Sequence, residues 1–266
     1  MFPQVSRPLA DGGIRVNIGV ISYLLRHHDT ETAMGILRDL GFTAVELDFR
    51  HADGRCDYRK ADAAAAVEVR RLVERHGIAP QAYCIGGLKN EHVAQLPRIF
   101  EFAKGLGADV ITGCIIEAGI LPQVSDCTER YGIRYAIENH RGNIFETADA
   151  LLSALKTCAP SVGVTADTGH FALAGRVPVE EIRKLAGRVY HVHFKDTDQH
   201  RPLGSGDADL PTVYRELQAQ GFEGMLSIEH YEYAGVEEET LRAGLAHGLR
   251  YVQRLGMSAA STPSAF

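Results

Sequence analysis

The chain lacks paired cysteines, basic runs and long apolar stretches. Its five cysteines (Cys56, Cys84, Cys114, Cys127 and Cys158) are scattered, odd in number and form no C-x-x-C pair. That argues against a disulfide framework and reads as reduced, mostly buried thiols of a cytoplasmic protein. No apolar stretch approaches about 18 residues, so no membrane span is expected. Residues 1–15 have neither the charged start nor the apolar centre of a signal peptide. Positive charge is outnumbered, 28 basic against 34 acidic residues for a net −6. Without a basic patch the electrostatic footprint of a nucleic-acid binder is missing. What remains is a 266-residue chain, 45% hydrophobic, with ample core for one large domain. A single α/β barrel takes about 250 residues.

Eight short apolar runs alternate with amphipathic segments: 16–22, 44–48, 80–86, 109–115, 134–139, 162–167, 189–194 and 225–230. The segments between them carry apolar residues at helical spacing, and several close on a glycine cap (Gly41, Gly77, Gly107, Gly221). Asp209 before Leu210 and Pro211 reads as an N-cap with proline in the first turn. Eight strand-then-helix units without a hairpin predict a parallel sheet, and eight such strands close a single (β/α)8 TIM barrel over 15–257. Only residues 121–130 separate the fourth and fifth strands, which predicts a short or irregular fourth helix. Residues 1–14 and 258–266 read as tails, the latter small, polar and disordered.

Four of the runs end in a metal-binding side chain: AIENH (136–140), TADTGH (165–170), HVHFKD (191–196) and SIEHY (227–231). They offer Glu138, Asp167, His193 and Glu229, at gaps of 29, 26 and 36 residues, about one strand and one helix each. Alternation along a strand puts Glu138 on the face of Ala136, Asp167 on that of Thr165, His193 on that of His191 and Glu229 on that of Ser227. All four ligand types then face the barrel axis, with the branched apolar residues toward the helices. Parallel barrel strands converge at one rim, where barrel enzymes carry their chemistry. Asp167 alone is as well explained by a buried ion pair. Four ligand types at successive strand ends predict a divalent-metal site. Lys195 shares the parity of His193 one layer higher and is expected to contact a substrate oxygen or carboxylate. His191 is expected to orient His193 or fill the core. His140 and His230 have the opposite parity and are expected to pack in loops or against helices. Of Glu46 and Asp48, one is expected to pair with Arg50 and the other to line the pocket.

The pieces I-E-N-H (137–140), D-T-G-H-F (167–171), H-V-H-F-K-D (191–196), L-G-S-G-D (203–207) and S-I-E-H (227–230) resemble the xylose-isomerase-like superfamily of sugar and sugar-phosphate isomerases and epimerases. The resemblance spans strands one to eight and is densest over 134–231. It implies metal ligands at Glu138, Asp167, His193 and Glu229 and a substrate-contacting histidine at His170. Members include ketose 3-epimerases, other isomerases, inosose and dehydroshikimate dehydratases and some decarboxylases. The chain departs from the better-known ketose epimerases in having no tryptophan and no aromatic lid motif.

Three carboxylates and one imidazole suit Mn²⁺, Mg²⁺ or Co²⁺, with Mn²⁺ the leading expectation; Zn²⁺ usually takes more His or Cys, although one His does not exclude it. Such an ion can hold a hydroxyketone through carbonyl and hydroxyl oxygens and stabilise the enediolate formed on proton loss. Glu138 and Glu229, three strands apart, face each other across the mouth as acid and base. His170 is placed past the strand end, in a loop turned by Gly169, to hydrogen-bond the developing oxyanion. The expected activity is a divalent-metal-dependent isomerase or epimerase of a small keto-sugar or related polyol ketone. The alternative is a lyase, dehydratase or decarboxylase, acting through the same intermediate on a keto-sugar, inosose or keto-acid. The expected partner is a small carbohydrate, with neither nucleic acid nor membrane; homo-oligomerisation is left open.

Overall fold

A computed structural model describes residues 16–198, 200–230 and 236–260. Eight parallel strands close a barrel in chain order: β1 (Asn17–Ile21), β2 (Ala44–Asp48), β3 (Ala79–Leu88), β4 (Val110–Ile115), β5 (Arg134–Glu138), β6 (Val162–Asp167), β7 (Val189–Phe194) and β8 (Met225–Ile228). Each strand pairs with its neighbour and β1 pairs with β8, so no edge is left open. The helices are α1 (Thr30–Asp39), α2 (Ala63–Arg75), α3 (Leu96–Leu106), α4 (Leu121–Tyr131), α5 (Ala148–Leu155), α6 (Thr168–Leu173), α7 (Pro178–Lys184), α8 (Leu210–Ala219) and α9 (Glu238–Ala260). Several of their starts are capped by side chains that the sequence supplies locally. Asp29 accepts from the Thr32 amide, Asp62 from Ala65 and Asp209 from Thr212.

The fourth helix differs from expectation. It is a regular helix of 11 residues, as long as α3. A 3-10 turn at Ala118–Ile120 feeds directly into it, and Gly132, in the left-handed region at φ 66°, ends it just before β5. Only Ile116, Glu117, Gly132 and Ile133 are left for connections, so a short segment still holds three turns. The last helix continues to Ala260, three residues into the segment read as a tail. Residues 1–14, 261–266 and Tyr231 lie outside the described residues.

Two layers of core position the site. The outer faces of the strands and the inner stripes of the helices share one apolar core, in which Tyr83, Phe100, Phe102, Phe171 and Phe194 are fully buried. Burying each such ring contributes roughly 2–3 kcal/mol. Inside the barrel, Ala44, Ala82, Val110, Ala136 and Met225 form a small apolar floor. Two residues further along the same strands stand Glu46, Cys84, Thr112, Glu138 and Ser227, all buried. The barrel is thus apolar at its base and increasingly polar toward the C-terminal rim. No described helix is long and apolar enough to cross a membrane.

Candidate metal centre

The ends of β5, β6, β7 and β8 bring Glu138, Asp167, His193 and Glu229 together, with one ligand atom of each within 4.8 Å of all the others. His193 is the hub. Its Nδ1 lies 2.9 Å from Glu229 Oε2, 3.1 Å from Glu138 Oε1 and 3.8 Å from Asp167 Oδ2. Its Nε2 points the other way, 3.2 Å from both oxygens of Glu46. Lys195 Nζ caps the group, 3.5 Å from Asp167 Oδ2 and 3.4 Å from Glu229 Oε1.

Local sequence explains why these ends meet. The Asn139 side chain bonds both backbone groups of Asp167, accepting from its amide at 2.6 Å and donating to its carbonyl at 3.0 Å. The Thr168 hydroxyl donates to the Lys195 carbonyl at 2.6 Å and accepts from the Lys195 amide at 2.9 Å, tying β6 to β7. Residues 168–170 form the first turn of α6, contrary to the expected loop, because Asp167 Oδ1 accepts from the His170 amide at 2.7 Å as a helix cap. Gly169 serves close approach in place of a turn. A Cβ there would stand 2.8 Å from Lys195 Cγ.

Burial alone would push Glu138 and Glu229 up. The hydrogen bond and charge of His193 reverse this at Glu138, and the charges of Lys195 and His193 reverse it at Glu229, which is lowered to about 2. Burial pulls His193 down, but the surrounding carboxylates, Glu46 and Glu229 first, hold it well above an ordinary histidine. Lys195 is likewise raised, against burial, by Asp167 and Glu229. His170 is lowered, chiefly by burial, which favours a neutral ring. Asp167 Oδ2 and Glu229 Oε2 are buried without a hydrogen-bond partner. Buried carboxylate oxygens without donors are costly, and a divalent cation among these four side chains would satisfy both. The residues therefore fit such an ion.

Several neighbours were invisible to strand parity or left open by it. Asp48 is the residue that pairs with Arg50, bidentately at 2.8 and 2.6 Å. Glu46 lies inward beneath the site, where it accepts from the Thr112 hydroxyl and from His191 Nε2 at 2.9 Å. Its place on the face of Ala44 was the available signal. The Cys114 thiol donates to Glu138 Oε2 at 3.0 Å, a contact nothing in the cysteine spacing suggests. The His140 ring covers His170 with centroids 3.9 Å apart, so its expected role in loop or helix packing is replaced by a place at the mouth. Opposite parity ends with the strand, and His140 lies two residues beyond β5. His230 takes the packing role expected of it, with Nε2 2.7 Å from the Arg201 carbonyl. The G-S-G-D loop wraps the acid that follows β7: Asp196 accepts from the amides of Thr197, Gly204, Gly206 and Ala208.

Comparison with known proteins follows the same barrel. The profile of the xylose isomerase-like TIM barrel family matches residues 35–255. The rhizopine catabolism protein MocC of Rhizobium meliloti is 28% identical over 131 residues, 40% of each chain. An inosose dehydratase of Lactiplantibacillus plantarum is 24% identical over 156 residues, 50% of this chain and 51% of its own. The chain thus spans about half the length, or less, of these curated relatives. The crystal structure of a D-psicose 3-epimerase in the presence of D-fructose superposes with a TM-score of 0.77 at 14% identity, covering 90% of this chain and 99% of that one, a likeness of fold.

Proposed function

The chain belongs to the xylose isomerase-like TIM barrel family, and from that premise we propose that it is a divalent-metal-dependent isomerase or epimerase of a small keto-sugar or related polyol ketone. The observation that carries this reading is the pair of glutamates converging on His193 Nδ1 from two sides, beside buried carboxylate oxygens that lack donors. An ion held by Glu138, Asp167, His193 and Glu229, Mn²⁺ before Mg²⁺, Co²⁺ or Zn²⁺ for so carboxylate-rich a set, would polarise a ketone and favour proton loss from the adjacent carbon. Glu138 and Glu229 then act as base and acid on the two sides of the substrate. Glu138 is oriented for this by the Cys114 thiol on its second oxygen. The His170 ring, kept neutral by burial, donates to the substrate oxygen that gains charge. The Lys195 ammonium balances the carboxylates and faces a second substrate oxygen.

The relatives found by sequence favour a second outcome, loss of water from the same intermediate, since one of them is an inosose dehydratase. One experiment separates the two. The Mn²⁺-loaded protein is incubated in D₂O with ketoses, inososes and keto-acids, and products are followed by NMR. Solvent deuterium in a product of unchanged skeleton supports the isomerase, and release of water or CO₂ supports the lyase. If the metal-loaded protein exchanges no proton of any of them, the proposed chemistry fails.

A further inference from the structure

Two groups of ligating side chains share His193: Glu138, Asp167 and Glu229 above the ring, and Glu46 and His191 below it. We propose that Glu46 is a positioning residue that holds His193 in its Nε2–H tautomer, so that Nδ1 is the nitrogen offered to the cation, and that the lower group itself takes no metal. The inference rests on the metal-dependent reading above.

Hydrogen-bond accounting below the ring carries it. Glu46, Thr112 and His191 are wholly buried and His193 nearly so. Glu46 Oε1 accepts from the Thr112 hydroxyl, Oε2 faces His191 Nε2 at 2.9 Å, and both oxygens face His193 Nε2 at 3.2 Å. A carboxylate only accepts, so each imidazole must turn an N–H toward it. Three donors converge on one buried anion and leave neither oxygen open. With the Nε2 proton given to Glu46, Nδ1 is the nitrogen left facing carboxylate oxygens at 2.9 and 3.1 Å, protonated when no metal is bound and offering its lone pair when one is. Only a positive charge between them makes that approach favourable. Glu46 comes from β2, across the barrel from β7, so the choice of nitrogen at the rim is made by a side chain on the far wall. Metal-ligating histidines commonly donate their other N–H to a carboxylate, and losing that partner typically weakens metal binding 10–100-fold (about that range).

The decisive variant is Glu46→Gln. Its amide offers one acceptor and one donor group where two imidazoles each need an acceptor, so the His193 proton is freed to move to Nδ1. Mn²⁺ affinity, measured by chelator competition on the full chain, should fall roughly 10–100-fold, while the metal-free variant keeps its barrel by circular dichroism at a lowered thermal midpoint. A second measurement serves if the variant does not fold. In the ¹⁵N-histidine wild-type protein loaded with diamagnetic Cd²⁺, His193 Nε2 should carry the proton, Nδ1 should be metal-shifted, and one ion should bind per chain. Unchanged affinity in Glu46→Gln, a deprotonated Nε2, or a second ion lost on His191→Ala overturns the inference while leaving the metal-dependent reading intact. A wild-type protein that takes up no divalent ion overturns both.

Discussion

The two sides of the His193 ring are built from the same materials and come out differently. Below it, Glu46 is enclosed by Thr112, His191 and His193, and both of its oxygens have donors. Above it, three carboxylates crowd the single nitrogen Nδ1; buried Asp167 Oδ2 has no hydrogen-bond donor, and buried Glu229 Oε2 has only that shared nitrogen beside it, at 2.9 Å. Both regions are acidic, histidine-containing and buried, so composition and burial do not separate them. Saturation does. A buried acid whose lone pairs are all filled is a structural anchor, whereas acids left short of donors around one imidazole nitrogen are arranged for a cation.

The sharpest way to break that contrast is Asp167→Ala on the unsaturated side. We expect bound metal to be lost and turnover to fall by more than about 10³-fold, because the Lewis-acid contribution of several kcal/mol disappears. Circular dichroism should show an intact barrel. A variant that keeps a full equivalent of metal and full activity would show that the upper group is not a metal centre.

Glu138→Gln and Glu229→Gln come next. Each keeps an oxygen ligand and removes a base, so metal should be partly retained while turnover drops about 10²-fold or more. Wild-type turnover in either single variant would sink the acid–base pair. His170→Ala separates substrate positioning from metal binding. It should keep its metal and its thermal midpoint yet lose roughly 10²-fold in kcat/KM, the order of one oxyanion donor. Should it lose the metal instead, His170 is a ligand and the four-residue set has the wrong members.

The contrast also has a pH signature. His193 is held above an ordinary histidine by the carboxylates around it, so in metal-free protein a proton occupies the place meant for the cation. Because its folded value is raised, the associated stability is fully present below the unfolded value of about 6.5 and is lost as pH rises through the folded value. The midpoint of metal-free protein should therefore fall on raising the pH across that range, and loaded protein should be spared. Conversely, metal affinity should weaken about tenfold per pH unit on acidification, as one proton is displaced on binding. Equal pH dependence with and without metal would place the ion elsewhere. The smallest effect is expected on the saturated side. Thr112→Val removes one donor to Glu46 and should lower stability by about 1–3 kcal/mol with metal content unchanged.

Much of this architecture was legible before any coordinate. Period-two alternation and glycine-capped helical segments located all eight strands to within two residues at every end. They failed where spacing is a poor guide to regularity. The ten residues of 121–130 were too few for a long loop and a long helix, and the chain keeps its connections there to two residues on each side. They failed again at His170, where the Asp167 cap turns an expected loop into helix.

The barrel, and the faces of β5, β6 and β7 and the end of β8 that carry Glu138, Asp167, His193 and Glu229, can be read from the chain without coordinates. Both follow from periods of two and 3.6 residues, which are local properties of a chain. Tertiary structure alone decided that Glu46 sits under His193, 147 residues away, that Cys114 holds Glu138 and that His140 covers His170. A local period says which side of a strand a residue occupies but nothing about what stands opposite it. Closure of the barrel, by bringing β2 and β7 to face each other across one axis, supplies that partner and with it the nitrogen of His193 left to face the carboxylates.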